Sequence, residues 1–234
     1  PTDRESTFED LPVIGELPSD LEGVYVRNGP NPRFEPKGLY HWFDGDGMVH
    51  GIHLEDGRAT YRNRYIRTRQ FQAEGEAGEA LWSGILEPMD HANPLGPIKD
   101  TANTDLVWHN GQLVALWWLS GTPHAISVPE LETLGPCTFG GALKDSVASH
   151  AKVDPRTGDL VFFGFNMVRR PYYHFGVVTA DGKDVHVAPV DVPRAHIPHD
   201  IAITERYTVL LDLPLGWDRE AMARGKRRIG FDRE

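Results

Sequence analysis

Eleven histidines in 234 residues are the chain's largest reserve of side chains that could do chemistry. Imidazole works as a base near neutral pH or, when neutral, as a metal ligand. The other common constellations are missing: no carboxylate pair, no Gly-x-Ser-x-Gly elbow and no phosphate-binding glycine loop. Two histidines stand out by position. His150 lies in Val147-Ala148-Ser149-His150-Ala151-Lys152-Val153-Asp154-Pro155, and His199 in His196-Ile197-Pro198-His199-Asp200-Ile201-Ala202-Ile203-Thr204. Each sits at the start of a strand-like run, and the two are 49 residues apart. Equivalent places on successive blades of a propeller point at one axis, where two such histidines can converge on a metal. Spacing does not choose among Zn, Cu, Fe and Ni, and a structural role for each histidine is the competing reading.

Other candidates fall away on their own chemistry. Asp44-Gly45-Asp46-Gly47 opens like a calcium loop, and Asp44, Asp46 and Glu55 take its first, third and last ligand places. Met48 and Val49 then stand where an oxygen ligand and a sharp-turn glycine are required, so that reading is rejected. His50 and His53 are three apart, on opposite faces of a strand, which leaves a polar hairpin with structural aspartates. Cys137, the single cysteine, lies in the turn-rich Leu134-Gly135-Pro136-Cys137-Thr138-Phe139-Gly140-Gly141 and reads as structural.

The elements that must carry these residues are strands. With 24 glycines and 18 prolines, turns are many and long helices few. Strand pairs flank tight turns: Met48 to Leu54 and Ala59 to Ile66 around Asp56-Gly57, and Asp105 to His109 and Gln112 to Trp118 around Asn110-Gly111. Further pairs are Ser149 to Val153 with Leu160 to Phe165, Tyr172 to Thr179 with Val185 to Val190, and Ile201 to Thr204 with Tyr207 to Asp212. Gly23 to Val26 is a lone first strand. Gly57, Gly111, Gly158 and Arg206 are spaced by 54, 47 and 48 residues, the size of a four-stranded propeller blade. Phe71 to Glu79 reads as an exposed loop or short helix, and Asp218 as the cap of a helix running to Lys226.

The net charge of −10 opposes a phosphate-binding surface, so no nucleic-acid partner is expected. The basic cluster Arg224-Gly225-Lys226-Arg227-Arg228 reads as a solvated helix end or loop. One cysteine excludes an intrachain disulfide and favours a reducing, cytoplasmic location. The polar start shows no leader, and Leu113 to Leu119, the longest apolar run, is too short to cross a bilayer.

The residues Gly23-Val24-Tyr25-Val26-Arg27-Asn28-Gly29-Pro30-Asn31-Pro32, then Trp42-Phe43-Asp44-Gly45-Asp46-Gly47-Met48-Val49-His50, resemble the start of a carotenoid cleavage oxygenase. The likeness continues through Ala102-Asn103-Thr104, His150 to Gly158 and His199 to Glu205, in the same order. It implies an all-β fold, a seven-bladed β-propeller capped by a dome, of which residues 1–234, as a single domain, make about the first half of the ring. It implies a non-haem Fe(II) on the axis held by four histidines, His150 and His199 matching the first two. Thr104 matches a threonine whose methyl lies beside the open coordination position, and Trp117 lines the substrate tunnel. The implied reaction splits a conjugated C=C bond of a carotenoid, apocarotenoid or stilbenoid with O₂ into two carbonyl products, with peripheral membrane contact through the dome and no obligate protein partner. Retinoid-type isomerisation within the family, and a non-catalytic propeller module binding an apolar ligand or partner, are the alternatives. One departure is local: Trp118 or Leu119 stands where the family has a glutamate that orients a ligand histidine. The other is length, the remaining two histidines being expected beyond Glu234, so that the ring is expected to be incomplete with both histidines on a half-built axis.

Overall fold

The computed structural model describes residues 2–224 and 229–231, so residues 225–228 of the basic cluster lie outside the described residues. Strands β1 (Ser6–Phe8), β2 (Gly23–Pro30), β3 (Gly47–Glu55) and β4 (Arg58–Tyr65) form a first antiparallel sheet in the order β1-β4-β3-β2. Helix α1 (Arg69–Ala77) follows. A second sheet takes β5 (Asp105–His109), β6 (Gln112–Leu116), β7 (His124–Ile126) and β8 (Thr133–Pro136) in chain order. A third takes β9 (Lys152–Val153), β10 (Leu160–Phe165), β11 (Tyr173–Val178) and β12 (Val185–Val190) in the same way. Two pairs complete the described chain, β13 (Ile201–Ile203) with β14 (Thr208–Leu210), and β15 (Leu215–Trp217) with β16 (Ile229–Phe231), the latter bracketing helix α2 (Arg219–Ala223).

The turn chemistry explains the pairing. Asp56-Gly57 and Asn110-Gly111 both hold two successive positive φ values, 49° and 71°, then 48° and 72°. That is the twist that joins antiparallel strands through two residues, and Asn-Gly and Asp-Gly reach it at least cost. The two turns are not equivalent, however. Asp56-Gly57 joins the central strands of its sheet, whereas the turns near Gly111, Gly158 and Arg206 join the first and second strands of theirs. The 54-residue interval is therefore not a repeat length, while the 47- and 48-residue intervals are.

The sheets stack face on face. Val49 and Ile66 of the first meet Leu113, Ala115 and Ile126 of the second. Val114 and Leu116, on the other face of β6, meet Leu160 and Phe162 of the third. Phe163 and Phe165 then face Ile197 and Ile201. Strand β10 is covered on both faces, which is why all six of its residues are buried and its sequence does not alternate. Strands β5, β9 and β13 run side by side. The stack is open: the far face of the first sheet leaves Phe8, Tyr25 and Ile52 exposed.

Helix α1 matches the short-helix alternative for Phe71 to Glu79, with two of its residues buried rather than exposed. Thr68 caps it by accepting the Phe71 N–H, and Gly78 ends it in the left-handed region. Phe71 and Glu74 are buried, the first against Tyr65, the second in an ion pair with Lys99. Asp218 does cap α2, by accepting the Ala221 N–H. Among the described residues no helix is long and apolar enough to cross a membrane, and Cys137 is buried in the core as a free thiol.

Candidate metal and substrate site

The residues singled out by sequence lie at one end of the sheet stack, where β5, β9 and β13 begin. Thr104 precedes β5, His150 precedes β9 and His199 precedes β13. Neighbouring strand starts bring the two imidazoles together, with ring centroids 5.1 Å apart and planes at 63°.

His150 is held by its backbone. Its φ of 67° is left-handed, a conformation that costs a residue with a side chain roughly 1–2 kcal/mol. The Asp105 carboxylate accepts the His150 N–H at 2.8 Å and lies 3.8 Å from its Nδ1. Lys152 donates to the His150 carbonyl at 2.8 Å and pairs with Asp200 at 2.6 Å. Loss of solvation at the strand ends, then the neighbouring His150, hold His199 below the usual histidine range, while Asp200 pulls weakly the other way. His199 is therefore neutral at pH 7, with a ring lone pair free for a cation. Asp105, Lys152 and Asp200 were not singled out by sequence, although Thr104-Asp105, His150-x-Lys152 and His199-Asp200 place a charged residue beside every site residue at these strand starts.

Thr104 is fixed through its hydroxyl, which donates to Asn103 at 3.0 Å and accepts the Trp118 N–H at 3.1 Å. One donated and one accepted bond tie the hydroxyl to the scaffold. Asn103 in turn donates to the carbonyls of Phe43 and Gly45. The Trp117 carbonyl accepts the Ser149 N–H, one residue before His150, and its buried indole N–H has no partner among the described residues. Trp117 also lines a cleft with Phe43, Ile85, Ile98, Trp118 and Leu119. The position expected to hold an orienting glutamate is apolar: Trp118 is buried against Phe43, ring centroids 5.4 Å apart. Among the described residues no hydrogen bond reaches the His199 ring.

The aspartates of the 44–46 segment are structural, as expected. Asp44 accepts the N–H groups of His41 and Ile85, and Asp46 accepts that of Arg33 and pairs with Lys99 at 2.6 Å. Among the described residues no three His, Cys, Asp or Glu side chains converge. His150 and His199 are neighbouring imidazoles, nitrogen donors of the kind that could occupy two places in a metal centre.

A family model described as Retinal pigment epithelial membrane protein matches residues 1–234. The chain belongs to this family. Its similarity to the carotenoid 9,10(9',10')-cleavage dioxygenase 1 of Arabidopsis thaliana is 37% identity, covering 98% of this chain and 46% of that protein. The crystal structure of the lignostilbene dioxygenase of Pseudomonas brassicacearum superposes with a TM-score of 0.85 at 32% identity, over 99% of this chain and 49% of that one. A cobalt-substituted apocarotenoid oxygenase of Synechocystis gives 0.78 at 25% identity, over 99% and 52%. The chain spans about half the length of the curated relatives it matches. The resemblance carried by the motifs around Gly23, Trp42, Thr104, His150 and His199 is a family relationship.

Proposed function

We propose that residues 1–234 are a single-domain, N-terminal portion of a seven-bladed propeller in a non-haem Fe(II) dioxygenase. The enzyme splits a conjugated C=C bond of a carotenoid, apocarotenoid or stilbenoid: one alkene and one O₂ give two carbonyl products. The observation that carries this reading is the meeting of His150 and His199 at adjacent strand starts, 5.1 Å between rings, in a chain of this family.

His150 and His199 are two of the ligands, and Fe(II), when bound, supplies the activation of O₂. Both imidazoles bind without adding negative charge. The Thr104 methyl narrows the space beside them. Trp117, with Phe43, Ile85 and Trp118 in a cleft that Asp44, Asp46, Glu74 and Lys99 also line, offers flat apolar faces to a rigid, conjugated substrate, and orientation of its double bond needs no acid or base from the protein. That agrees with the missing carboxylate pair and nucleophile.

The test uses the protein carrying this chain, loaded with Fe(II), and offered a long carotenoid, a shorter apocarotenoid and a stilbene. Paired aldehydes formed only in the presence of O₂ are the expected result. No cleavage of any of the three would remove the enzymatic reading. It would leave the non-catalytic ligand-binding module, which the buried Trp118 and the unsupported His199 ring favour.

A further inference from the structure

We infer that Asp105, Lys152 and Asp200 form a polar clasp across three consecutive strand starts, and that this clasp positions the His150–His199 pair. The inference rests on reading the two histidines as metal ligands.

The peptide of His150 is gripped from both sides. Its N–H is bound by the Asp105 carboxylate of β5, at 2.8 Å. Its carbonyl is bound by the Lys152 ammonium, also at 2.8 Å. The same ammonium reaches Asp200 at 2.6 Å, and the other bond of that Asp200 oxygen is to the N–H of Ile201, the first residue of β13. One chain of contacts therefore runs from β5 through the His150 peptide to the residue after His199.

Stability does not account for this arrangement. The Lys152 and Asp200 side chains are 33% and 50% exposed, and ion pairs at that exposure contribute little to folding. Its geometry is specific instead. The grip falls on the one histidine of the pair whose backbone is left-handed, and it spans the gap that the pair itself spans. Among the described residues no carboxylate is hydrogen-bonded to the His199 ring, and the next residue, Asp200, anchors the chain at the start of β13 through Lys152 and the Ile201 N–H. Asp105, Lys152 and Asp200 are positioning residues, acting through the histidines and not on substrate.

The test has two readouts on the protein carrying this chain. The first is hydrogen exchange at the His150 amide in the metal-free protein. The second is Co(II) affinity by absorption titration. Lys152→Met and Asp105→Ala are expected to speed exchange at His150 and to weaken Co(II) binding about 10- to 100-fold, as loss of groups supporting metal ligands does elsewhere. Lys152→Arg, which keeps the charge and the donors, is expected to restore most of both. Exchange and affinity unchanged in Lys152→Met and Asp105→Ala would overturn the clasp. Should Lys152→Met fail to fold, Asp200→Asn on a half-exposed side chain carries the same two readouts. A wild-type protein that binds no Co(II) removes the metal-ligand reading, and the exchange result still decides the clasp.

Discussion

His50 shows how a single side chain in this fold sets a pH dependence of its own. It is buried in the first sheet, its Nδ1 is 2.8 Å from the Tyr61 hydroxyl and its Nε2 has no partner among the described residues. Burial, then the Arg27 charge, push its pKa down to about 4. In the unfolded chain it titrates near 6.5, so protons favour the unfolded state. Its contribution to stability is complete above pH 6.5 and is lost as the pH falls towards 4. The loss is at most about 3 kcal/mol. Urea unfolding at several pH values should therefore show His50→Gln losing up to that much less stability than the wild type between pH 6.5 and 4. Equal slopes would contradict the assignment. Thr104 gives a second residue-scale prediction. Thr104→Val keeps the methyl but deprives the Trp118 N–H of its acceptor, and should cost about 1–3 kcal/mol in urea unfolding. At this scale the sequence marked His150 and His199, which the structure brings together, because their motifs are local. Asp105, Lys152 and Asp200 were invisible, because a carboxylate beside a histidine in sequence does not say that it binds the backbone of another strand.

Among the elements, α1 is secured by a contact distant in sequence. Lys99 pairs with Glu74 on the helix and with Asp46 before β3, each at 2.6 Å, and both carboxylate side chains are 3% exposed. The two carboxylates raise the Lys99 pKa despite the cost of its burial, which keeps the ion charged. Lys99→Met would leave two buried carboxylates without their cation, and should destabilise the protein by about 3–5 kcal/mol in denaturant unfolding. Converting Glu74 and Asp46 to Gln and Asn in the same chain should recover part of that loss. Hairpins were legible because Asp56-Gly57 and Asn110-Gly111 declare their turns within two residues. Strands β1, β7, β8, β15 and β16 were not. Each is three or four residues long, β8 contains Gly135 and Pro136, and the β7–β8 ladder shifts register between Ala125 and Ile126. Nothing local marks Glu74 as buried, since its partner lies 25 residues on.

Across the whole molecule, the two spacings of 47 and 48 residues carry the logic of the site. A chain that builds one four-stranded unit per repeat returns to the same end of the stack each time, and the residue two positions before β9 arrives beside the one two positions before β13. His150 and His199 meet for that reason, and the face-to-face packing of Phe162 and Phe163 with the neighbouring sheets holds the repeat in place. The relatives of about twice this length include a protein named a carotenoid 9,10(9',10')-cleavage dioxygenase, and the proposed role of the pair rests on that relationship. The central claim is that His150 and His199 hold iron for such a cleavage. It is tested most directly by iron analysis of the protein carrying this chain beside its His150→Ala and His199→Ala variants, all purified and loaded alike. The account predicts stoichiometric iron in the wild type and its loss in both variants, with their unfolding otherwise unchanged. Iron retained undiminished without either histidine, or no iron in the wild type, would contradict it.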